Sequence, residues 1–283
     1  RVFQRFGITI EKRSFRELGA EAKLIPDHQA EQVWSEWRSR LPVGDLSWRA
    51  LSSALKLYIA LKHELDQDAH IKGMGINCLN ESHFSDTTPC LAWNMLYEEQ
   101  GLIWGCEADT VSMLTKYMVH QSLDVPIMMT NMYPFLMGQA ALKHERIPAF
   151  PDVDEPDNHI LAAHCGYLGV LPMSFATEWT VRPKVLAIVD ENAHALDARL
   201  PIGDVTLAKL HPTFTKLSVV EGELRGYAQY PGSDCANGAV IKVPDGHALM
   251  DRLTSHHYLL MTGHQLDKLR WLAKVFELEL DVI

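Results

Sequence analysis

The chain is 283 residues long and 47% hydrophobic, enough to bury a large core and, by size, to form two domains or one large one. Its formal charge of -10, with no compact Lys/Arg stripe, argues against a nucleic-acid partner. Five cysteines without a CxxC pattern read as reduced thiols, and no stretch approaches the roughly 18 apolar residues of a membrane span, so a cytoplasmic protein with no membrane partner is expected.

Phe6 to Glu11 alternates and reads as a strand; residue 1 is Arg and no signal peptide precedes this run, as expected of a fragment or a processed product. Asp27 to Arg38 has an acidic start and places Val33, Trp34 and Trp37 at helical spacing. Pro42 and Gly44 break that helix. Asp45 or Ser47 caps the next one, which runs to about Asp66 with Leu51, Leu55, Tyr58, Ile59 and Leu61 near one face. Lys72 to Leu79 reads as an apolar strand; its Gly73 and Gly75 match neither phosphate-loop spacing, so the nucleotide-binding signal is weak.

Pro89 heads a helix that carries Trp93 to Glu99 and stops at Gly101. Leu102 to Gly105 is a strand, Thr110 to Ser122 a helix burying Val111, Leu114, Met118 and Leu123, and Val125 to Met129 another strand. Strands alternating with helices in this way predict a parallel sheet with helices on both faces. A Pro- and Asp-rich loop at Pro148 to Pro156 leads to a strand at Ile160 to Ala163. After about Leu171 the period changes. Val185 to Val189, Val205 to Leu210, Lys216 to Val220, Glu223 to Tyr230 and Ala239 to Val243 are short strands between Gly, Pro and Asp turns, the spacing of an antiparallel barrel or sandwich. A helix from about Asp245 to Leu253, a strand at His257 to Met261 and a helix from Gln265 to Phe276 close the chain. The expected architecture is an α/β domain over residues 1–170, then a C-terminal β-rich small-barrel domain with flanking helices over residues 171–283.

Polar residues recur at or just past the strand ends: Asn80, Glu81 and His83, then Glu107 and Asp109, then Asn131, then His164. In an open parallel sheet, ligands bind at the carboxyl ends of the strands. Glu107 is a carboxylate directly after an apolar strand, which points to function, whereas Asp109 is either a ligand or base candidate or the cap of the helix that starts at Thr110. Such oxygen and nitrogen ligands suit Mn²⁺, Mg²⁺ or Co²⁺. His256 and His257 head a strand on which neighbours face opposite ways, so at most one is expected to be a ligand. The same alternation argues against a nucleophile pair of His164 and Cys165, leaving His164 as a pocket-lining candidate. Trp104 either stacks on a sugar or fills the core.

The segments CLNESHFSDTTPCLAWNMLYEEQGLIWGCEADTVSMLTKYM (78–118), VPIMMTN (125–131), DNHILAAHCG (157–166), PIGDVTLAKL (201–210) and HHYLLMTGH (256–264) together resemble the L-fucose isomerase and L-arabinose isomerase superfamily, nearer its fucose isomerase-like branch. The resemblance spans about residues 73–283. It implies a ketol isomerase of a pentose or deoxyhexose: an α/β domain and a C-terminal domain with a small barrel, assembled as a homo-oligomer (trimer or hexamer) around a divalent metal, usually Mn²⁺. Residues 1–72 would then belong to the middle domain of the family, whose N-terminal domain would be missing. In the family a glutamate, an aspartate and a late histidine hold the metal. These positions fall on Glu107, on or beside Asn131, and on His256 or His257.

Asn131 departs from that pattern with chemical consequences. Isomerisation through an enediol needs one carboxylate to take a proton from carbon as a base and an acid to deliver one to the neighbouring carbon. An amide oxygen coordinates weakly and is no base. Three expectations stay open: Glu107 works with Asp109, Glu81 or His83; the chain binds sugar without isomerising it; or it performs related epimerase or lyase chemistry. Asn80, His83, His164 and Trp104 are the expected substrate pocket.

Overall fold

The computed structural model describes residues 2–123, 125, 127–134, 153–164, 171–184, 192–228 and 238–283. The chain opens on a short helix, α1 (Val2–Phe6), and the run from Phe6 to Glu11, where alternation predicts a strand, forms none: residues 7–11 carry no regular structure. Long-range packing decides otherwise: Phe6 meets the rings of Phe214 and Phe276 at centroid distances of 5.7 and 6.1 Å. Helix α2 (Phe15–Leu24) follows; the Ser14 side chain accepts the Glu17 N–H, satisfying one of the open donors of its first turn. Helices α3 (Asp27–Trp37) and α4 (Trp48–Gln67) come next, the latter capped by Ser47 on the Ala50 N–H at 3.2 Å. Buried Ala54 and Ala60 let neighbours approach α4 closely, and α2, α3 and α6 (Cys90–Gln100) pack against it.

Strands β1 (Gly73–Gly75) and β2 (Ile103–Gly105) pair in parallel, Gly73 opposite Ile103 and Gly75 opposite Gly105. Between them lie the single-turn α5 (Cys78–Glu81) and α6, which ends on Gly101 at φ 67°, a left-handed cap that glycine adopts without strain. Helix α7 (Thr110–His120) then lies between this small sheet and the strands that follow.

Those strands are β3 (Ile127–Pro134), β4 (His159–Ala163), β5 (Glu178–Pro183), β6 (His194–Arg199), β7 (Gly203–Leu210), β8 (Lys216–Ala228), β9 (Gly238–Lys242), β10 (His257–Thr262) and β11 (Glu279–Val282), with α8 (Gly246–Arg252) and α9 (Leu266–Val275) between the last three. Six of them close on themselves in the order β8, β7, β10, β3, β4, β9 and back to β8, every neighbouring pair antiparallel. The 13 residues of β8 permit this closure: Glu223–Ala228 pair with β9, while Lys216–Val219 also hold β11 in parallel. Strands β5 and β6 form a separate antiparallel pair. Inside and around the barrel, Ile160, Leu207, Tyr258, Leu259, Leu260 and Met261 are fully buried, each contributing about 1.5–3 kcal/mol of hydrophobic stabilisation.

This architecture corrects the expected parallel sheet with helices on both faces followed by a separate C-terminal barrel. Among the described residues the parallel pairs are β1 with β2 and β8 with β11, and the main sheet is a closed antiparallel barrel. The barrel takes β3 and β4 from before residue 170 and joins them to β10 and β9 from after it. The physical reason is that a strand covered on both sides is apolar throughout, whether helices sandwich it in a parallel sheet or a barrel interior and α7 enclose it. The expected strand at Val185 to Val189, most of the loop at Pro148 to Pro156, and Cys165 and Cys235 lie outside the described residues. Among the described residues no helix is long and apolar enough to cross a membrane.

Candidate metal centre

The parallel register of β1 and β2 sets residues 76–78 beside the exit of β2, where Cys106–Ala108 form one short 3-10 turn. Within it Glu107 (φ 55°, ψ 21°) and Ala108 (φ 54°) both adopt the left-handed backbone, a conformation that costs an L side chain about 1–3 kcal/mol. Several contacts hold the turn in place. Ala108 N–H donates to Ile76 O at 2.9 Å and Asp109 N–H to Cys106 O at 3.0 Å. The Cys106 thiol and then the Glu107 N–H stabilise the Cys78 thiolate, lowering that thiol to about 7 against the opposing effect of burial. Gly105 has no room for a side chain, because a Cβ there would overlap Met113 on α7.

The barrel supplies the other side. Asn131 on β3 stands opposite His257, the first residue of β10, and also opposite Ala163 on β4, so His164 at the end of β4 comes beside them. His257 Nε2 lies 3.5 Å from Glu107 Oε2, and its ring is 4.0 Å from that of His256 and 5.8 Å from that of His164, centroid to centroid. One ligand atom each from Glu107, His256 and His257 falls within 4.8 Å of the others. The expectation that only one of the two histidines faces the site does not hold. His256 precedes the strand, its carbonyl accepting the Met132 N–H, and so escapes the strict alternation of β10.

Asp109 does not choose between cap and site; it serves both. Its Oδ1 accepts the Ser112 N–H at 2.9 Å, capping α7, while Oδ2 accepts from Ser112 Oγ at 2.7 Å and Lys209 Nζ at 2.9 Å and lies 2.9 Å from His257 Nδ1. Burial pushes the Asp109 carboxyl up, but the His257 contact, the Lys209 charge and the Ser112 N–H outweigh it and hold the group well below the usual carboxylate range. For the buried Lys209 the balance falls the other way, burial drawing the amine down more than Asp109 raises it. The ionised carboxylate is the firmer half of the pair, because several donors stabilise it at once.

On the barrel side, Asn131 Oδ1 lies 3.2 Å from His164 Nδ1 and Asn131 Nδ2 donates to Tyr133 OH at 2.9 Å. Burial first, then the neighbouring charges of His257 and Lys184, pull His164 down to about 3, so it is a neutral imidazole. Glu107, Asp109, Asn131, His164, His256 and His257 are thus brought together. Asn80, Glu81 and His83 make no hydrogen bond, ion pair or ring contact with that group; His83 stacks on Phe84 at 4.0 Å. Trp104 is buried, with the Lys116 ammonium 3.8 Å from its ring centre, and so fills core. Sequence reasoning missed Lys209 and Ser112. The one available signal was that Lys209 interrupts the apolar run of β7.

The donor set fits a divalent cation. His257 Nε2 and His164 Nε2 are buried without a hydrogen-bond partner, and an orphaned buried polar atom costs about 1–3 kcal/mol unless something engages it. Two imidazoles and a carboxylate suit first-row divalent metals.

No family model matches the chain, and no curated protein matches it. The likeness to the fucose and arabinose isomerases therefore rests on the sequence segments quoted above.

Proposed function

We propose that Glu107, His256 and His257 hold a divalent cation, Mn²⁺ by the resemblance, and that this cytoplasmic chain converts an aldose, a pentose or deoxyhexose, to its ketose. The observation that carries this reading is the convergence of one carboxylate oxygen and two imidazole nitrogens within 4.8 Å, from a strained turn and a distant strand end. Such a cation, when bound, would polarise the carbonyl and the neighbouring hydroxyl oxygen of an open-chain sugar and so acidify the C–H next to the carbonyl. Glu107 is the group available to move that proton. Its side chain is 25% exposed and its carboxylate makes no hydrogen bond among the described residues, whereas both Asp109 oxygens are occupied. His164 and Asn131 wall the centre on the barrel side and keep water from His257.

A second reading, sugar binding without turnover, draws on Asn131. Both of its amide atoms are engaged within the wall, so no second acid faces Glu107 from that position. One experiment separates the two: the full chain with Mn²⁺ is incubated in D₂O with a panel of aldopentoses and 6-deoxyhexoses. Ketose carrying deuterium from solvent, lost in Glu107→Gln, is the expected result. Sugar and Mn²⁺ binding with neither exchange nor ketose would sink the isomerase and leave the binding protein.

A further inference from the structure

Lys209 stands in the barrel wall with 1% of its side chain exposed. Among the described residues its ammonium reaches only Asp109 Oδ2 at 2.9 Å and Ser112 Oγ at 2.5 Å. A buried cation is expensive unless it is paired, and capping α7 does not require one, because Asp109 Oδ1 already accepts the Ser112 N–H. The consequence of the pair lies at the next atom along. Lys209 Nζ and Ser112 Oγ anchor Asp109 Oδ2 as an acceptor 2.9 Å from His257 Nδ1. An oxygen that only accepts requires the ring hydrogen on that nitrogen, which in the neutral imidazole leaves Nε2 with its lone pair. That Nε2 is the atom 3.5 Å from Glu107, buried and without a hydrogen-bond partner.

We infer that Lys209 and Asp109 form a positioning relay that fixes His257 as its Nδ1–H tautomer and aims the Nε2 lone pair into the metal centre. The inference rests on the metal reading of that centre. Neither residue touches the cation. In the opposite tautomer, a lone pair would face the Asp109 oxygen and a hydrogen would fill the ligand position. Lysine suits the task because its compact ammonium, with three rotatable donors, fits between one carboxylate oxygen and one hydroxyl.

The tautomer is read directly by ¹⁵N NMR of the imidazole in the full chain without metal, the His257 signals being assigned by their loss in His257→Gln. Wild type is expected to show a protonated Nδ1 and a bare Nε2. Asp109→Asn keeps a good cap but offers an amide donor to Nδ1, so the tautomer should invert and Mn²⁺ affinity fall by about 10- to 100-fold, the usual effect of losing such a supporting partner. Lys209→Met should weaken Mn²⁺ binding in the same direction, and Lys209→Arg should recover part of it. A wild-type His257 protonated on Nε2 overturns the relay, as does a folded Asp109→Asn with unchanged tautomer and affinity. If wild type binds no Mn²⁺, the metal reading fails, while the wild-type and Asp109→Asn tautomers still decide whether the relay exists.

Discussion

His194 Nε2 accepts the backbone N–H of Leu91 at 2.9 Å, so a side chain from β6 closes the first turn of α6, which no residue of its own caps. The other ring nitrogen lies 3.2 Å from Thr87 Oγ1 and 3.3 Å from Thr88 Oγ1. Protonation would remove the acceptor and set a cation at the positive end of a helix. Burial first, then the charge of Lys184, pulls His194 down to about 3. The unfolded chain takes up this proton near pH 6.5, so the stabilisation is complete above that pH and is lost as the pH falls toward 3. Its size is on the order of a few kcal/mol. Denaturant midpoints measured from pH 7 to pH 4 should fall for wild type. In His194→Gln the stability at pH 7 should start lower by about 1–2 kcal/mol, and the midpoint should vary less with pH.

Gly105 on β2 packs against the side chain of Met113 on α7, which a Cβ there would overlap. Gly105→Ala should force α7 away and cost about 1–3 kcal/mol by overpacking. Since the turn carrying Glu107 starts at the next residue, Mn²⁺ affinity should fall together with the thermal midpoint. A variant that loses stability at unchanged affinity would show that the turn is set independently of this contact.

Ala108 sits at φ 54° in that turn. Glycine adopts this backbone without strain, so Ala108→Gly should raise stability by about 0.5–1 kcal/mol in chemical denaturation, the relief exceeding the added entropy of the unfolded chain. A lower stability would mean that the Ala108 methyl contributes packing worth more than the strain it carries.

If both histidines bind the metal, His256→Ala and His257→Ala should each weaken Mn²⁺ binding at least about tenfold, as should Glu107→Gln. Circular dichroism should stay near wild type for His256→Ala, whose side chain is open to solvent. Calorimetric titration of the three variants decides it. Unchanged affinity in His256→Ala would reduce the centre to Glu107 and His257.

Local signals account for the parts of this molecule that could be read in advance. Ser47, Pro89 and Gly101 mark the ends of α4 and α6 because capping and left-handed termination involve only a few neighbouring residues. Glu107 and the pair His256 and His257 stood out because polar side chains beside apolar strands are costly without a partner. Asn80, Glu81 and His83 carried the same local signal, yet among the described residues their side chains make no hydrogen bond, ion pair or ring contact with the cluster, although α5 packs against the turn that carries Glu107.

The sequence by itself thus determined where most helices begin and end, which runs are buried, and which carboxylate and histidines were candidates for a site. Only the tertiary structure decided that β3 and β10 run antiparallel in a closed barrel, that His256 accompanies His257, and that Lys209 backs Asp109. The reason is physical range. Periodicity records which side of a short segment avoids water, whereas strand direction and the meeting of Asp109 with His257, 148 positions apart, depend on register between distant segments that leaves no local pattern.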